Sequence, residues 1–449
     1  MEIKQDFFDK MKNILSPKEF GDFCSALNKP FKKGLAINFQ KIGEKDFLDN
    51  FNHDISPLPY GNGCYVVDTD DKLGNEILHR AGAYYLQEPS AMIPGIVLPV
   101  KDGDLVLDAC ASPGGKTFQI AKRLNGTIVS NEIDFSRAKT LLSNVERLGL
   151  DNVIVTNFTT DDLARLYANK FDCVLIDAPC SGEGMFRKEE FAISQWSKEY
   201  VGQCVKMQNE IIHNIDKTLK TGGLLVYSTC TFSVEENEMN AAKIVDLGYE
   251  IVDIGRIAGE SNGINLDGYS TELCKRFYFH KSFGEGQFVA VLRKLAPNST
   301  SHKRERMVEG IGNSYKKLVT EFVTQFTNGQ LLSKLQNNLY MKNDAVYYCS
   351  NASLIVRVSG VLSYGVKLGN IVKNRFEPCH NFFTAFGNYF NEKIKLSKKD
   401  AEKYLKGETL PTNCNNGWCV LTYLGVVLGG GKVVNGIVKN HYPKGLRTL

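Results

Sequence analysis

Between positions 100 and 295 the chain alternates short apolar runs with longer stretches whose apolar residues recur every three or four positions. The runs are DLVLDA (104–109), TIVSNE (127–132), NVIVTNF (152–158), CVLIDA (173–178), GLLVYST (223–229), YEIVDI (249–254) and QFVAVLRK (287–294). Runs this short and this rich in Val, Ile and Leu predict strands buried on both faces. KTFQIAKRL, FSRAKTLLSNVERLG and VKMQNEIIHNIDKTL, lying among the first five, carry a helical period. Such alternation predicts a parallel sheet with right-handed crossovers. The last run follows another strand with no long helix between them, which predicts an antiparallel edge.

The flanks read differently. Residues 1–75 predict a small α+β lead-in, and 76–296 the domain that carries the chemistry. The polar segment PNSTSHKRER (297–306) predicts a linker that opens a second αβ region, 297–390. Residues 391–449 begin with a Lys-rich helical stretch, SKKDAEKYLKG, and continue as glycine-studded strands, WCVLTYLGVVLGGGKVVNG. They predict a small β-barrel.

Composition narrows the class. A chain of 449 residues exceeds one ordinary core, and 43% hydrophobic with 23% charged residues is a globular balance. No run of roughly 18 apolar residues exists to span a membrane, and MEIKQDFFDKMKNIL lacks the apolar centre of a signal peptide. The 12 cysteines contain no C-x-x-C, which predicts reduced thiols in a cytoplasm. Cys414 and Cys419 lack the further ligands of a compact zinc site, so no metal is expected. Charge is uneven. Residues 299–449 hold 21 basic and 9 acidic side chains, a net of +12 against −8 for the rest, and no acid follows Glu408. That imbalance points to a polyanion-binding module beside an acidic body.

LVLDACASPGGKT (105–117) is a strand, a small-residue turn and a helix start. It lacks the dinucleotide G-x-G-x-x-G, and Cys110 stands where a P-loop requires glycine. Glu132 ends the next strand, placed to accept from two ribose hydroxyls. An adenosine-type ligand without pyrophosphate, S-adenosylmethionine, fits this pair of features; a tight strand-to-helix connection with a chance acid fits it as well. Cys180 in DAPCSGEG and Cys230 in YSTCT each follow a strand.

DACASPGGKT, NEID, DAPCSGEG, YSTCT and GEGQFVAVLRK occur in the order and spacing of the Sun/NOP (RsmB/NOP) family of RNA cytosine-5 methyltransferases, which the chain resembles over nearly its whole length. GAYYLQEPSAM (82–92) resembles that family's lead into the catalytic domain, and GKVVNGIVKNHYPKGLR resembles the tail of its RsmF-like bacterial 16S rRNA branch. The resemblance implies a class I (Rossmann-like) S-adenosylmethionine-dependent methyltransferase core, α/β in class, with an α+β N-terminal domain and a C-terminal region ending in a PUA-like barrel. It implies 5-methylcytosine formation in 16S rRNA or the 30S subunit by a cytoplasmic monomer. The alternatives are the same chemistry on tRNA, or a non-catalytic RNA-binding assembly factor.

Carbon 5 of cytosine is a poor nucleophile. A thiolate that adds to carbon 6 makes it reactive, dividing one hard step into easier ones. The resemblance gives Cys230 as the nucleophile and Cys180 as the residue assisting product release. The addition step also needs a partner that stabilises charge on the base, and Asp177, protonated or sharing a proton with N3, is expected in that role. It assigns the cofactor to Cys110, Ala111, Ser112, Pro113, Gly114, Gly115 and Lys116, with Glu132 on the ribose and Asp177 near the methionine end. The family's adenine-contacting aspartate is replaced by Thr159, with Asp161 two residues on. Arg187 and Lys188 are expected on target phosphates or in exposed ion pairs with Glu189 or Glu190. Trp196 and Trp418 are expected in packing, His280 in a structural role, and Cys173 and Cys204 as buried thiols.

Overall fold

The structure is a computed structural model that describes residues 3–61, 63–69, 71–297 and 310–448. Apart from Pro297, the expected linker 297–306 lies outside the described residues.

Two helices open the chain. Gln5–Ile14 buries Phe7 and Met11, and Pro17–Leu27 is started by a capping box between Ser16 and Glu19. Strands β1 (Lys33–Ile37), β2 (Asp54–Pro57), β3 (Cys64–Asp68) and β4 (Tyr84–Leu86) form an antiparallel sheet in the order β2-β3-β1-β4. Its last strand therefore comes from beyond position 75.

The central sheet follows the alternation in the sequence. Strands β5 (Leu105–Asp108), β6 (Thr127–Asn131), β7 (Val153–Thr156), β8 (Phe171–Asp177) and β9 (Leu219–Thr229) run parallel in the spatial order β7-β6-β5-β8-β9. The order turns back at β5, so a crevice opens beyond its carboxyl end. Val106, Ile128 and Val155 enter the core on one face, beneath Phe118, Leu141 and Val145 of two helices. Leu107, Val129 and Ile154 enter the other, against Ile211, Ile212 and Ile215 of the helix Lys198–Asp216. Each such aliphatic side chain contributes about 1.5–3 kcal/mol when fully buried.

Beyond β9 the sheet continues with β10 (Tyr249–Ile251), β11 (Glu260–Asn262), β12 (Lys275–Phe277) and β13 (Gln287–Lys294). β13 is antiparallel to β10, the apolar run it follows without a long helix, as expected, but it is not the edge: it also pairs with β9 and β12, and β11 pairs with β12. β11 and β12 are three residues each and read Glu-Ser-Asn and Lys-Arg-Phe, too short and polar to register as apolar runs.

The C-terminal third is woven into this core. Val361–Ser363 pairs antiparallel with β7, and Leu354, Ile355, Val356 and Val361 pack into the same hydrophobic cluster as Leu107 and Ile154. Around it lie a four-stranded antiparallel sheet (339–378) and a five-stranded mixed sheet (393–440). The last shares a core with the N-terminal sheet: Leu35, Ile37 and Tyr84 pack with Tyr404, Leu421 and Val426.

Helix Phe135–Leu148 is the post on which these parts meet. Asn38 donates to the carbonyls of Gly82 and Leu148, Arg147 donates to those of His79 and Tyr84, and Asn381 donates to Glu146. Gly82 has φ +75° and a side chain there would begin 2.2 Å from the Arg147 carbonyl oxygen. Gly82→Ala is therefore expected to cost about 2 kcal/mol or more, read as a lowered urea midpoint, whereas an alanine at exposed, unobstructed Gly21, inside helix Pro17–Leu27, is expected to raise it, stabilising by about 0.5–1 kcal/mol.

Candidate active site

The turn after β5 is built to let a ligand approach backbone. Gly114, at φ 108°, opens the helix Gly115–Ala121, and a side chain on Gly115 would begin 2.8 Å from Gln87. The Ala111 N–H donates to the Asn131 carbonyl, Ser112 Oγ donates to the Arg137 carbonyl, and Asn144 donates to the Pro113 carbonyl. These bonds set the turn against helix Phe135–Leu148. Cys110 forms part of its wall; burial, followed by the charges of Asp108, Asp177 and Glu132, pushes its thiol up and leaves it without thiolate character.

Glu132 stands at the carboxyl end of β6, only 4% exposed. One oxygen accepts the Asp134 N–H at 3.0 Å, and the other lies 3.4 Å from the Arg137 guanidinium. Each oxygen keeps a lone pair for a further donor. Thr159, exposed at the end of β7, caps the helix Thr160–Leu166 by accepting from the Asp162 N–H, and Asp161 is exposed on that helix's first turn.

Asp177 ends β8. Its two oxygens accept separately, from Lys116 Nζ at 2.6 Å and from Ser228 Oγ at 2.7 Å. Asp177 is thus held in an ion pair with Lys116 and a hydrogen bond from Ser228. Burial opposes the Lys116 charge, but Asp177, Cys230 and Asp108 around it hold its pKa above the usual lysine value.

Cys180 and Cys230 come together beside this pair. Their sulfurs are 3.3 Å apart, both thiols are free, and both are partly exposed. The contact with Cys230, then burial, then the charges of Cys230 and Glu236 push the Cys180 thiol well up. Cys180 is thus held as a neutral thiol. Cys173 and Cys204 are buried, as expected.

What holds the two thiol loops was not foreseen. Four fully buried glutamates, Glu183, Glu236, Glu238 and Glu285, lie around them. Glu236 accepts from the Ser181 N–H, the Ser181 hydroxyl and Gln208. Glu183 accepts from Trp196 Nε1 at 2.7 Å and the Phe232 N–H at 3.1 Å, and pairs with Lys10. Glu238 binds Arg276, which also donates to the Phe232 carbonyl. A signal was present: Glu183 and Glu285 each sit in a Gly-Glu-Gly triplet, and Glu236 and Glu238 in VEENE directly after the Cys230 loop.

The remaining expectations sort by burial. Arg187 is neither a phosphate contact nor a partner of Glu189 or Glu190. It is buried, bonded through Nε and Nη2 to Glu285, and lies over the Phe279 ring at 4.7 Å. Glu285 comes from a loop about a hundred positions away, out of reach of local reading. Lys188 is exposed. Trp196 packs edge-on against Phe7, and Trp418 packs among Phe322, Phe383 and His441. His280 lies between Phe23 and Tyr278 and bonds no partner through its ring nitrogens.

Comparison with known proteins covers almost the whole chain. Residues 95–293 match the family model of the 16S rRNA methyltransferase RsmB/F, residues 391–448 that of the methyltransferase RsmF PUA domain, and residues 3–89 that of the N-terminal domain of 16S rRNA methyltransferase RsmF. The ribosomal RNA small subunit methyltransferase F of Vibrio vulnificus is 30% identical across 99% of this chain and 97% of its own. That of Psychromonas ingrahamii is 28% identical over the same shares. Among solved structures, a methyltransferase homolog from Pyrococcus horikoshii is 26% identical, with TM-score 0.56 over 65% of this chain and 100% of that one. NSun6 from Pyrococcus horikoshii, solved with SFG, shares the fold at 22% identity, with TM-score 0.57 over 65% of this chain and 98% of its own.

Asp108, fully buried beneath the turn, gives the site a pH signature. One of its oxygens accepts from Thr117 and the other has no hydrogen-bond partner among the described residues. Burial first, with the charges of Asp177 and Glu132, pushes its carboxyl up to about 7. The folded state then keeps a proton that the unfolded chain has lost, so stability falls as pH rises from about 4 to about 7, by about 1.4 kcal/mol per unit. Urea unfolding across that range is expected to show Asp108→Asn removing this slope and gaining on the parent as pH rises. A gain that is the same at every pH would refute it.

Proposed function

The chain belongs to the family of ribosomal RNA small subunit methyltransferase F, and from that premise we propose that it methylates carbon 5 of a cytosine in 16S rRNA through a covalent bond from Cys230 to carbon 6. The observation that carries this reading is the pair of free thiols 3.3 Å apart, next to an Asp177–Lys116 ion pair.

S-adenosylmethionine fits the crevice: the tight small-residue turn with Gly114 at φ 108° stands at the carboxyl end of β5, and Glu132 keeps lone pairs for two hydroxyls. Cys110, Ala111, Ser112, Pro113, Gly114, Gly115 and Lys116 would enclose it, with Thr159 or Asp161 towards the adenine and Asp177 towards the methionine end. When bound, it supplies an electrophilic methyl group.

The chain's own residues do the rest. Lys116, nearly buried, offers positive charge where a Cys230 thiolate forms and where charge gathers on the ring. The thiolate adds to carbon 6 and raises electron density at carbon 5. After methylation the carbon 5 proton passes to solvent water, the C–H electron pair restores the double bond, and sulfur departs as the Cys230 thiolate. Cys180, kept neutral, stands within contact of that departing sulfur. The target base has to leave its stack, since neither thiol reaches carbon 6 inside a helix.

The C-terminal sheet would supply docking. Past Glu408 it carries Lys432, Lys439, Lys444 and Arg447 with no acid, a surface that neutralises phosphates without reading bases. An enzyme of this kind works in the cytoplasm, where its thiols stay reduced. Among the described residues no helix is long and apolar enough to cross a membrane.

Incubation with labelled S-adenosylmethionine and 30S subunits, naked 16S RNA or tRNA, followed by mapping, tests the proposal. Label is expected at carbon 5 of a 16S cytosine; label in tRNA alone, or in none of the three, sinks it. Cys230→Ala is expected to lower transfer about 10³-fold or more. Cys180→Ala is expected to accumulate a protein–RNA adduct that survives denaturant, and an adduct in the Cys230 variant instead would reverse the two roles.

A further inference from the structure

Glu236 has no place in the chemistry just described, yet it is fully buried within the loops that carry both thiols. It accepts the Ser181 N–H at 3.0 Å and Gln208 Nε2 at 2.9 Å on one oxygen, and the Ser181 hydroxyl on the other. Ser181 directly follows Cys180. Its hydroxyl also lies 2.8 Å from that of Thr231, which directly follows Cys230. Gln208 in turn donates to the carbonyl of Pro179, the residue before Cys180. The backbone carbonyl of Glu236 is held by Tyr227 Oη at 2.7 Å, and Asn240 bonds that carbonyl, Tyr227 and Gln208 together.

Every bond of this carboxylate is to a neutral donor. The other three buried glutamates each meet a lysine or arginine, Glu183 with Lys10, Glu238 with Arg276 and Glu285 with Arg187. Burying a carboxylate without a cation is costly, and here the cost coincides with the junction that joins the residues directly after the two cysteines, beside the bonds of Gly184 N–H to the Cys230 carbonyl and Phe232 N–H to Glu183. An amide or an apolar side chain would fill the space without that penalty. A carboxylate differs by accepting on both oxygens at once, which is what gripping Ser181 by its N–H and its hydroxyl requires.

We infer that Glu236 is a positioning residue that acts through Ser181, holding the Cys180 thiol against Cys230 so that the release half of the reaction depends on it. The inference rests on the two-thiol reading of the site.

Two measurements on the full-length protein test it. The first needs no RNA: diamide takes up the two thiol hydrogens as Cys180 and Cys230 join in a disulfide, and peptide mapping follows the bond. Glu236→Gln places an amide N–H₂ against donors, and is expected to slow this coupling at least about tenfold, with the alkylation rate of the partly exposed, distant Cys414 unchanged. The second uses whichever RNA the parent methylates. Glu236→Gln is expected to lower kcat about 10- to 10²-fold with KM for RNA unchanged, and to accumulate the denaturant-resistant adduct. Within a Cys180→Ala background the same change is expected to add nothing.

Coupling at the parent rate, adduct falling together with methylation, or a full additional loss in the Cys180→Ala background would each overturn the assignment. Should Glu236→Gln not fold, Ser181→Ala removes only the hydroxyl bridge and is judged by the same criteria. Failure of the parent protein to methylate any RNA would count against the enzymatic reading, while the diamide result would still decide whether Glu236 sets the thiol pair.

Discussion

The parallel pairing of β8 with β9, which sets Asp177 opposite Ser228, is the constraint on which the rest of the site depends. Each strand releases its cysteine just past its carboxyl end, so two residues fifty positions apart emerge side by side. Neighbouring strands stand about 4.8 Å apart, and short turns of chain bring the sulfurs to 3.3 Å. A slip of one residue would turn every side chain of β9 to the opposite face. Leu225 and Tyr227 would leave the core cluster in which they are now fully buried, and Ser228 would leave Asp177. The hydrophobic alternation that specifies the fold therefore also specifies which thiols can meet.

Beyond the strand ends regular pairing gives way to single backbone bonds, such as Gly184 N–H to the Cys230 carbonyl and Gly286 N–H to the Gly184 carbonyl, and the loops need further fixing. Buried backbone groups need partners, and here side-chain carboxylates supply them: Glu236 to Ser181, Glu183 to Phe232, Glu88 to Ser90, Ala91 and Glu285. Removing one partner of such a bond strands the other in a dry interior, at about 1–3 kcal/mol for a neutral donor and more for a charge. The first two helices take part in this. They deliver Lys10 to Glu183 and the Ala26 carbonyl to Arg187, and pack Phe7 and Phe23 against Trp196 and Phe279. A lead-in that reads as an appendage is thus part of the floor of the catalytic loops.

The division between what was legible and what was not follows sequence distance. The five parallel strands, the turn before Gly115 and the acid at the end of β6 announce themselves through local pattern, and all stand where that pattern puts them. The pairing of Asp177 with Lys116 was out of reach, because it depends on how far β5 and β8 extend relative to each other. Arg187 was misassigned for a related reason. A basic residue in a polar loop reads as solvent-facing, and only the tertiary arrangement brings Glu285 and Phe279 around it. Buried carboxylates are the hardest case, since composition reads Glu as surface. The flanking glycines of Glu183 and Glu285 were the one local sign that backbone passes close by.

The same interweaving bears on how a large RNA would be handled. The C-terminal sheet shares a hydrophobic core with β1 and β4, while Val361–Ser363 adds a strand to the catalytic sheet and Asn381 and Thr384 grip Glu146. A chain that returns to its first domain, its catalytic sheet and the helix between them leaves little freedom for the basic surface to swing relative to the thiols. Opening such seams would expose several large apolar side chains at about 1.5–3 kcal/mol each. The separation between docking surface and chemistry is accordingly set by the fold, and the deformation falls on the RNA, where lifting one base from its stack costs a few kcal/mol. Under the proposed function, a rigid spacing of this kind would select its target base by the shape of the surrounding RNA, and the lysines and arginines of the basic surface would grip phosphates without carrying base-specific information.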